Sequence, residues 1–82
     1  MMRVMREKKE LRIFSNDVES FPYSIGEFLK EEKIQNDKLY TRSYSEIVEY
    51  LLHNYIPSEV TFFGKWNENE KQALVDLIKF VG

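Results

Sequence analysis

Ser43-Tyr-Ser-Glu46 opens the segment that most restricts what this chain can fold into. A Ser three residues ahead of a Glu is a capping box: the hydroxyl accepts from the N–H of residue 46, and the carboxylate reaches back to the N–H of residue 43. The residues after it are amphipathic. At 100° per residue, Ile47, Val48, Leu51, Leu52 and Tyr55 fall within an arc of about 140°, with Glu46, Glu49 and His53 opposite. Pro57 stops the run. The segment predicts a helix over 43–56, and so wide an apolar arc requires contact with more than one neighbour.

Two other stretches carry a similar start. Ser24-Ile-Gly-Glu27 is a second capping box, with Tyr23 and Phe28 at the positions of a hydrophobic staple. Ile25, Phe28, Leu29 and Ile34 give it an apolar side, so a helix is expected over 24–34. Asn67-Glu-Asn-Glu70 supplies an Asn cap, and Ala73, Leu74, Leu77, Ile78 and Val81 form a helical stripe over 68–81, with Gly82 at the C′ position. Elsewhere the period is two. Leu11 and Ile13 alternate with Glu10, Arg12 and Phe14, which predicts a short strand over 10–15. Glu59–Phe63 is rich in β-branched and aromatic residues and reads as a strand or an extended linker. Residues 16–21 read as a turn or short helical piece closed by Pro22, and 35–41 as a polar connection. The expected fold is mainly α, with three helices and one or two short strands.

With 82 residues the chain forms one domain, a basic arm over 1–9 leading into a single unit over 10–82. A domain of this size buries roughly 60–65% of the surface its unfolded chain exposes, so stability is marginal and a second copy would relieve it. Six Phe, five Tyr and one Trp supply the bulk for a small core. The absence of Cys excludes disulfides and thiolate metal sites, and points to a reducing, cytoplasmic setting. No apolar run approaches the roughly 20 residues of a membrane span, and the charged start has no apolar core of the signal-peptide kind. Charge is uneven: residues 1–12 carry a net +3, and the remainder a net −5. A basic arm on an acidic body suits either a nucleic-acid contact or a solvated tail.

Signs of catalysis are nearly absent. His53 is the one histidine, on the polar side of its helix, without the second His or Cys that a metal site requires. Glycines at 26, 64 and 82 are too scattered for a phosphate loop. No enzyme activity, cofactor or metal is expected. Phe21, Tyr23, Phe62, Phe63 and Trp66 invite base stacking, but Lys65 alone interleaves with them, and core packing accounts for most.

The order strand 10–15, helix 24–34, then Arg42-Ser-Tyr-Ser-Glu46 followed by Ile47-Val48, Leu51-Leu52 and Tyr55-Ile56 resembles the ribbon-helix-helix family of DNA-binding proteins over residues 9–56. The resemblance implies a homodimer whose paired N-terminal strands enter the major groove of duplex DNA. It implies base contact by Arg12, phosphate contact by Ser43, Tyr44 and Ser45 beside Arg42 at a helix start, and backbone contact by Lys8 and Lys9. Residues 64–82 also resemble the first helix of a Myb-type repeat, without its two companions. The rival expectation is a protein-binding inhibitor or accessory factor of the kind mobile elements encode. It would hold its partner through Glu27, Glu31 and Glu32 on an acidic helix face, or through Phe62, Phe63 and Trp66.

Overall fold

A computed structural model describes residues 8–16 and 20–81. The expectations for the arm over 1–7, for part of the 16–21 turn and for the C′ role of Gly82 lie outside the described residues. Among those described there are four strands and two helices: β1 (Lys9–Ser15), β2 (Tyr23–Leu29), β3 (Ile34–Thr41), α1 (Tyr44–His53), β4 (Glu59–Gly64) and α2 (Glu68–Val81). The sheet order is β3-β2-β1-β4. β1 runs antiparallel to β2 and parallel to β4, and β2 runs antiparallel to β3.

This corrects the expected three-helix, ribbon-helix-helix-like fold. The strand at 10–15 and the helix at 68–81 are present, and 59–63 is a strand. The expected helix over 24–34 is instead β2, a turn at 30–33 and the start of β3. Ser24 does not cap a helix; its backbone lies between Phe14 and Tyr40 on the neighbouring strands. Tyr23 and Ile25 face the helices while Ser24, Gly26 and Phe28 face away, a period of two that satisfies β1 on one edge and β3 on the other. Gly26 would cost a helix about 1 kcal/mol relative to Ala, whereas Tyr, Ile and Phe suit a strand. The turn closes with Lys33 at φ 58 donating its N–H to the Leu29 carbonyl at 2.7 Å. In β3, Asp37 faces Gly26 and Leu39 faces Ile25, which makes Lys38 the extra residue of a bulge.

Both remaining helix starts are capped by side chains. Ser43 Oγ accepts from the Ser45 N–H at 3.2 Å, one residue earlier than the capping-box pattern implies. Asn67 Oδ1 accepts from the N–H groups of Asn69 and Glu70 at 2.9 and 3.1 Å. α1 stops at His53, short of the expected Ile56. Asn54 is already extended at φ −127, and its side-chain amide donates to the Tyr50 carbonyl at 3.0 Å. The core is a single cluster on one face of the sheet: Leu11, Ile13 and Ile25 from the strands against Ile47, Leu51 and Leu74 from the helices. Among the described residues, no helix covers the opposite face of the sheet.

Candidate functional site

The strand register decides what that open face displays. Arg12 lies opposite Gly26 on β2 and Thr61 on β4, so Glu10, Arg12 and Phe14 share a face with Phe28, Thr61 and Phe63. The Gln35 side chain fills the space over Gly26, and the Arg12 guanidinium lies over the neighbouring Phe28 ring. Its Cζ lies 3.9 Å from the centroid of the Phe28 ring and 5.4 Å from that of Phe63. Arg12 Nε donates to Glu10 Oε1 at 3.1 Å, and Nη1 donates to Gln35 Oε1 at 3.3 Å. Phe63 in turn stacks on Phe14, with centroids 5.2 Å apart and the rings inclined by 20°.

Glu10 anchors this arrangement from beneath. It is buried, and its second oxygen accepts from the Thr61 hydroxyl. That hydrogen bond, aided by Arg12 and opposed by desolvation, holds its carboxyl below the usual carboxylate range. Lys30 pairs with Glu59 at the margin. Toward the β3 edge, Tyr40 donates to Asp37 Oδ2 at 2.6 Å, and the Phe21 ring lies 6.3 Å from the Tyr40 ring. Phe21, Tyr40 and Phe63 are exposed. The face is therefore aromatic, and its Arg12 and Lys30 cations are each met by a carboxylate.

The residues expected to hold DNA are not brought together. Lys9 sits opposite Leu29 and Thr41 opposite Tyr23, so Lys8 and Lys9 lie at one end of the sheet and Arg42–Ser45 at the other, roughly 20 Å apart at the rise of a strand. Lys8 approaches Glu31 at 3.7 Å and Lys9 approaches Glu27 at 3.8 Å. Arg42 Nε donates to the Ser20 carbonyl at 3.0 Å, and the Tyr44 hydroxyl donates to the Glu70 carbonyl at 2.8 Å. Ser43 and Ser45 share a hydrogen bond of 2.6 Å at the α1 cap. Arg12 does sit on the outward face, as its alternation implies. But β1 is paired with β2 on one edge and β4 on the other, so in this fold it has no edge to offer a second copy.

The acidic helix face of the rival expectation does not form. Glu27 belongs to β2, between Lys9 and Lys38 at 3.8 and 3.9 Å, and Glu31 and Glu32 stand in the 30–33 turn. Phe62 and Trp66 turn toward the helices, 5.5 Å apart and edge-on, with Tyr23 5.8 Å from Trp66. The Trp66 indole N–H is buried and meets no acceptor among the described residues. Of that aromatic segment, Phe63 alone reaches the open face. Phe28, Gln35 and Thr61 complete the arrangement, and the sequence pattern did not point to them. A period-two reading of 23–29 would have found Phe28; nothing local marks the other two.

His53 is exposed, beside a shallow depression of about 320 Å³ lined by Leu39, Glu46, Glu49 and Tyr50. Among the described residues no group of His, Asp and Glu is placed to hold a metal ion, and no helix is long and apolar enough to cross a membrane. Comparisons with protein-family models, with curated proteins and with solved structures each return no match for this chain.

Proposed function

We propose that this chain is a small cytoplasmic protein-binding module, an inhibitor or accessory factor, that docks a partner protein on the aromatic face of its sheet. The observation that carries this reading is the Arg12 guanidinium, layered between Phe28 and Phe63 and met by Glu10. Aromatic and Arg side chains are the groups enriched at the centre of protein interfaces, where they supply large contact area and directed hydrogen bonds. A nucleic-acid face needs cations to spare for phosphates. Here Arg12 and Lys30 are answered by Glu10 and Glu59, and Asp37 adds a further negative group.

The test uses the full chain with a photo-crosslinking amino acid at Tyr40, an exposed position at the margin of the face, in extract of the native host. A second probe at Gln72, on α2, serves as the control. A discrete protein adduct from position 40, missing from position 72 and lost when Phe63→Ala is added, supports the reading. A nuclease-sensitive adduct overturns it in favour of nucleic acid. So does salt-dependent binding of duplex DNA or single-stranded RNA by the purified chain, and the duplex result would restore the DNA-regulator reading.

A further inference from the structure

The bulge in β3 sorts its charges between the two faces of the sheet. Residues three apart on a regular strand point to opposite faces. The extra residue at Lys38 changes that count, so Asp37, opposite Gly26, and Tyr40, opposite Ser24, share the open face. Their side chains meet there, the Tyr40 hydroxyl donating to Asp37 Oδ2 at 2.6 Å. Lys38 goes the other way, approaching Glu27 at 3.9 Å, and Glu27 lies opposite Leu11 of the core. Asp37 is thus parted from the cation next to it in the chain. It is exposed, and among the described residues no Lys or Arg pairs with it. Phe21 is held beside Tyr40 by its own neighbours: Arg42 Nε donates to the Ser20 carbonyl at 3.0 Å, and the Asn16 N–H donates to the Pro22 carbonyl at 2.7 Å. The two ring centroids lie 6.3 Å apart, and Phe21 and Tyr40 are 50% and 55% exposed. Tyr40 therefore touches Phe21 with its ring and Asp37 with its hydroxyl.

We infer that Asp37, Tyr40 and Phe21 form a subsite that takes an Arg or Lys side chain of the partner protein. The inference rests on the protein-binding reading of the sheet face and names the partner chemistry at its β3 margin. Charge selects this occupant. Arg12 and Lys30 are each met by a carboxylate, whereas Asp37 has no opposite charge among the described residues. Its carboxylate can accept about four hydrogen bonds, and Tyr40 supplies one. A carboxylate oxygen bonded to a phenol lies roughly 5 Å from the ring centroid, so one cation fits within about 4 Å of the carboxylate and about 6 Å of the centroid. The ring then adds cation–π attraction to the ion pair, and the aliphatic stem of a long basic side chain has the exposed Phe21 ring to lie on. A single carboxylate offers too few oxygens to compete for Ca²⁺ or Mg²⁺.

Two measurements on the full chain test this. In the first, acetylarginine amide is titrated at constant ionic strength while the backbone amide signals are followed by NMR. The expected result is a progressive shift of the Phe21, Asp37 and Tyr40 signals. It should shrink roughly threefold or more in Asp37→Asn and in Tyr40→Leu. It should be missing with acetylcitrulline amide, which has nearly the same shape and no charge. In the second, an aromatic photo-crosslinker at position 40 keeps a ring in the subsite, and adding Asp37→Lys should remove most of the protein adduct. Asp37 and Tyr40 are exposed, so thermal melts of their variants should match the parent. Equal shifts from the two amides, no shift at all, or an adduct undiminished by Asp37→Lys overturns the inference and leaves the protein-binding reading standing. An adduct of twice the chain's mass overturns it in favour of a second copy. No protein adduct from position 40 in any variant overturns the protein-binding reading, and the partner side chain with it.

Discussion

Replacing Gly64 by alanine should come close to unfolding the domain, and replacing Gly26 should scarcely affect it. Gly64 adopts φ +93, where an L-residue pays about 1–2 kcal/mol. A Cβ built there would also fall 2.0 Å from the Ser15 carbonyl oxygen and 2.9 Å from its carbon. Those are backbone atoms and no rotamer relieves them. The end of β4 must move off β1, which breaks the Lys65 N–H to Ser15 carbonyl bond of 2.9 Å and loosens Phe63 against Phe14. Strain, the lost hydrogen bond and lost packing together amount to about 3 kcal/mol or more. A domain of this length holds only about 4–12 kcal/mol in all. At Gly26 the three atoms nearest a Cβ all belong to the Gln35 side chain, at 3.0–3.2 Å, and that flexible side chain can swing away. The expected change there is within about 1 kcal/mol, since strand propensity gained offsets the contact disturbed. Urea unfolding followed by Trp66 fluorescence reads both variants. With a slope of about 1 kcal/mol per molar urea, Gly64→Ala should lower the midpoint by roughly 3 M. A loss below about 1 kcal/mol for Gly64→Ala, or an equal loss at both glycines, would refute the argument from β1–β4 packing.

Leu74, wholly buried between the helices and the sheet, should cost about 2–5 kcal/mol on truncation to Ala and lower the melting temperature by roughly 10 °C or more in calorimetry. Thr61→Val removes the hydroxyl that supports the buried Glu10 carboxylate and should cost about 1–3 kcal/mol. Because the folded state holds the Glu10 carboxyl low, its stabilisation is present above the ordinary Glu value and is lost as pH falls through the folded value. The acid-unfolding midpoint of Thr61→Val should therefore lie at higher pH than that of the parent, as read by circular dichroism. Tyr23 and Tyr44 are pushed up chiefly by burial, with the charge on Glu70 adding to it. Their stabilisation is intact below about pH 10 and is lost as pH rises through the folded values. Absorbance at 295 nm should show them ionising late, as the fold opens.

The parts legible in the sequence are those whose pattern has one interpretation. Alternation at 10–15 suggested a strand, and Ala73-Leu74-Leu77-Ile78-Val81 a helix, and the structure has both. Residues 23–29 satisfied two periods at once. Ile25, Phe28 and Leu29 fit one side of a helix, and Ser24-x-x-Glu27 has the letters of a capping box, yet Tyr23 and Ile25 also fit alternate positions of a strand. What decided between them was pairing to β1 and β3, which no local window contains. β3 was hidden differently. An edge strand with a bulge at Lys38 keeps Gln35, Asn36 and Asp37 in water, so its composition is that of a loop. The candidate site follows the same division. Glu10, Arg12 and Phe14 were legible as outward residues because they share one strand. Phe28, Gln35 and Thr61 come to them from three other strands, and Arg12 lies 23 residues from Gln35 in the chain.

Arg12 also supplies the sharpest distinction between a protein-docking face and a phosphate-binding one. Its guanidinium is fixed before any partner arrives, by Glu10 through Nε, by Gln35 through Nη1 and by the Phe28 ring 3.9 Å from Cζ. A side chain already ordered pays little further entropy on binding, and its guanidinium lies over the Phe28 ring with the Phe63 ring 5.4 Å away. Lysine keeps the charge but loses the plane, the stack and the fork of donors. If the face works by shape and stacking, Arg12→Lys should impair partner capture from position 40 nearly as much as Arg12→Ala. Stability should fall modestly in both variants, because Glu10 loses its Nε partner. If the face instead works by attracting phosphate, Arg12→Lys should retain most of the binding and nearly all of its salt dependence. Crosslinking yields and salt titrations of the two variants side by side separate these outcomes. Lysine performing as well as arginine would remove the aromatic–guanidinium layer as the basis for the protein-binding reading.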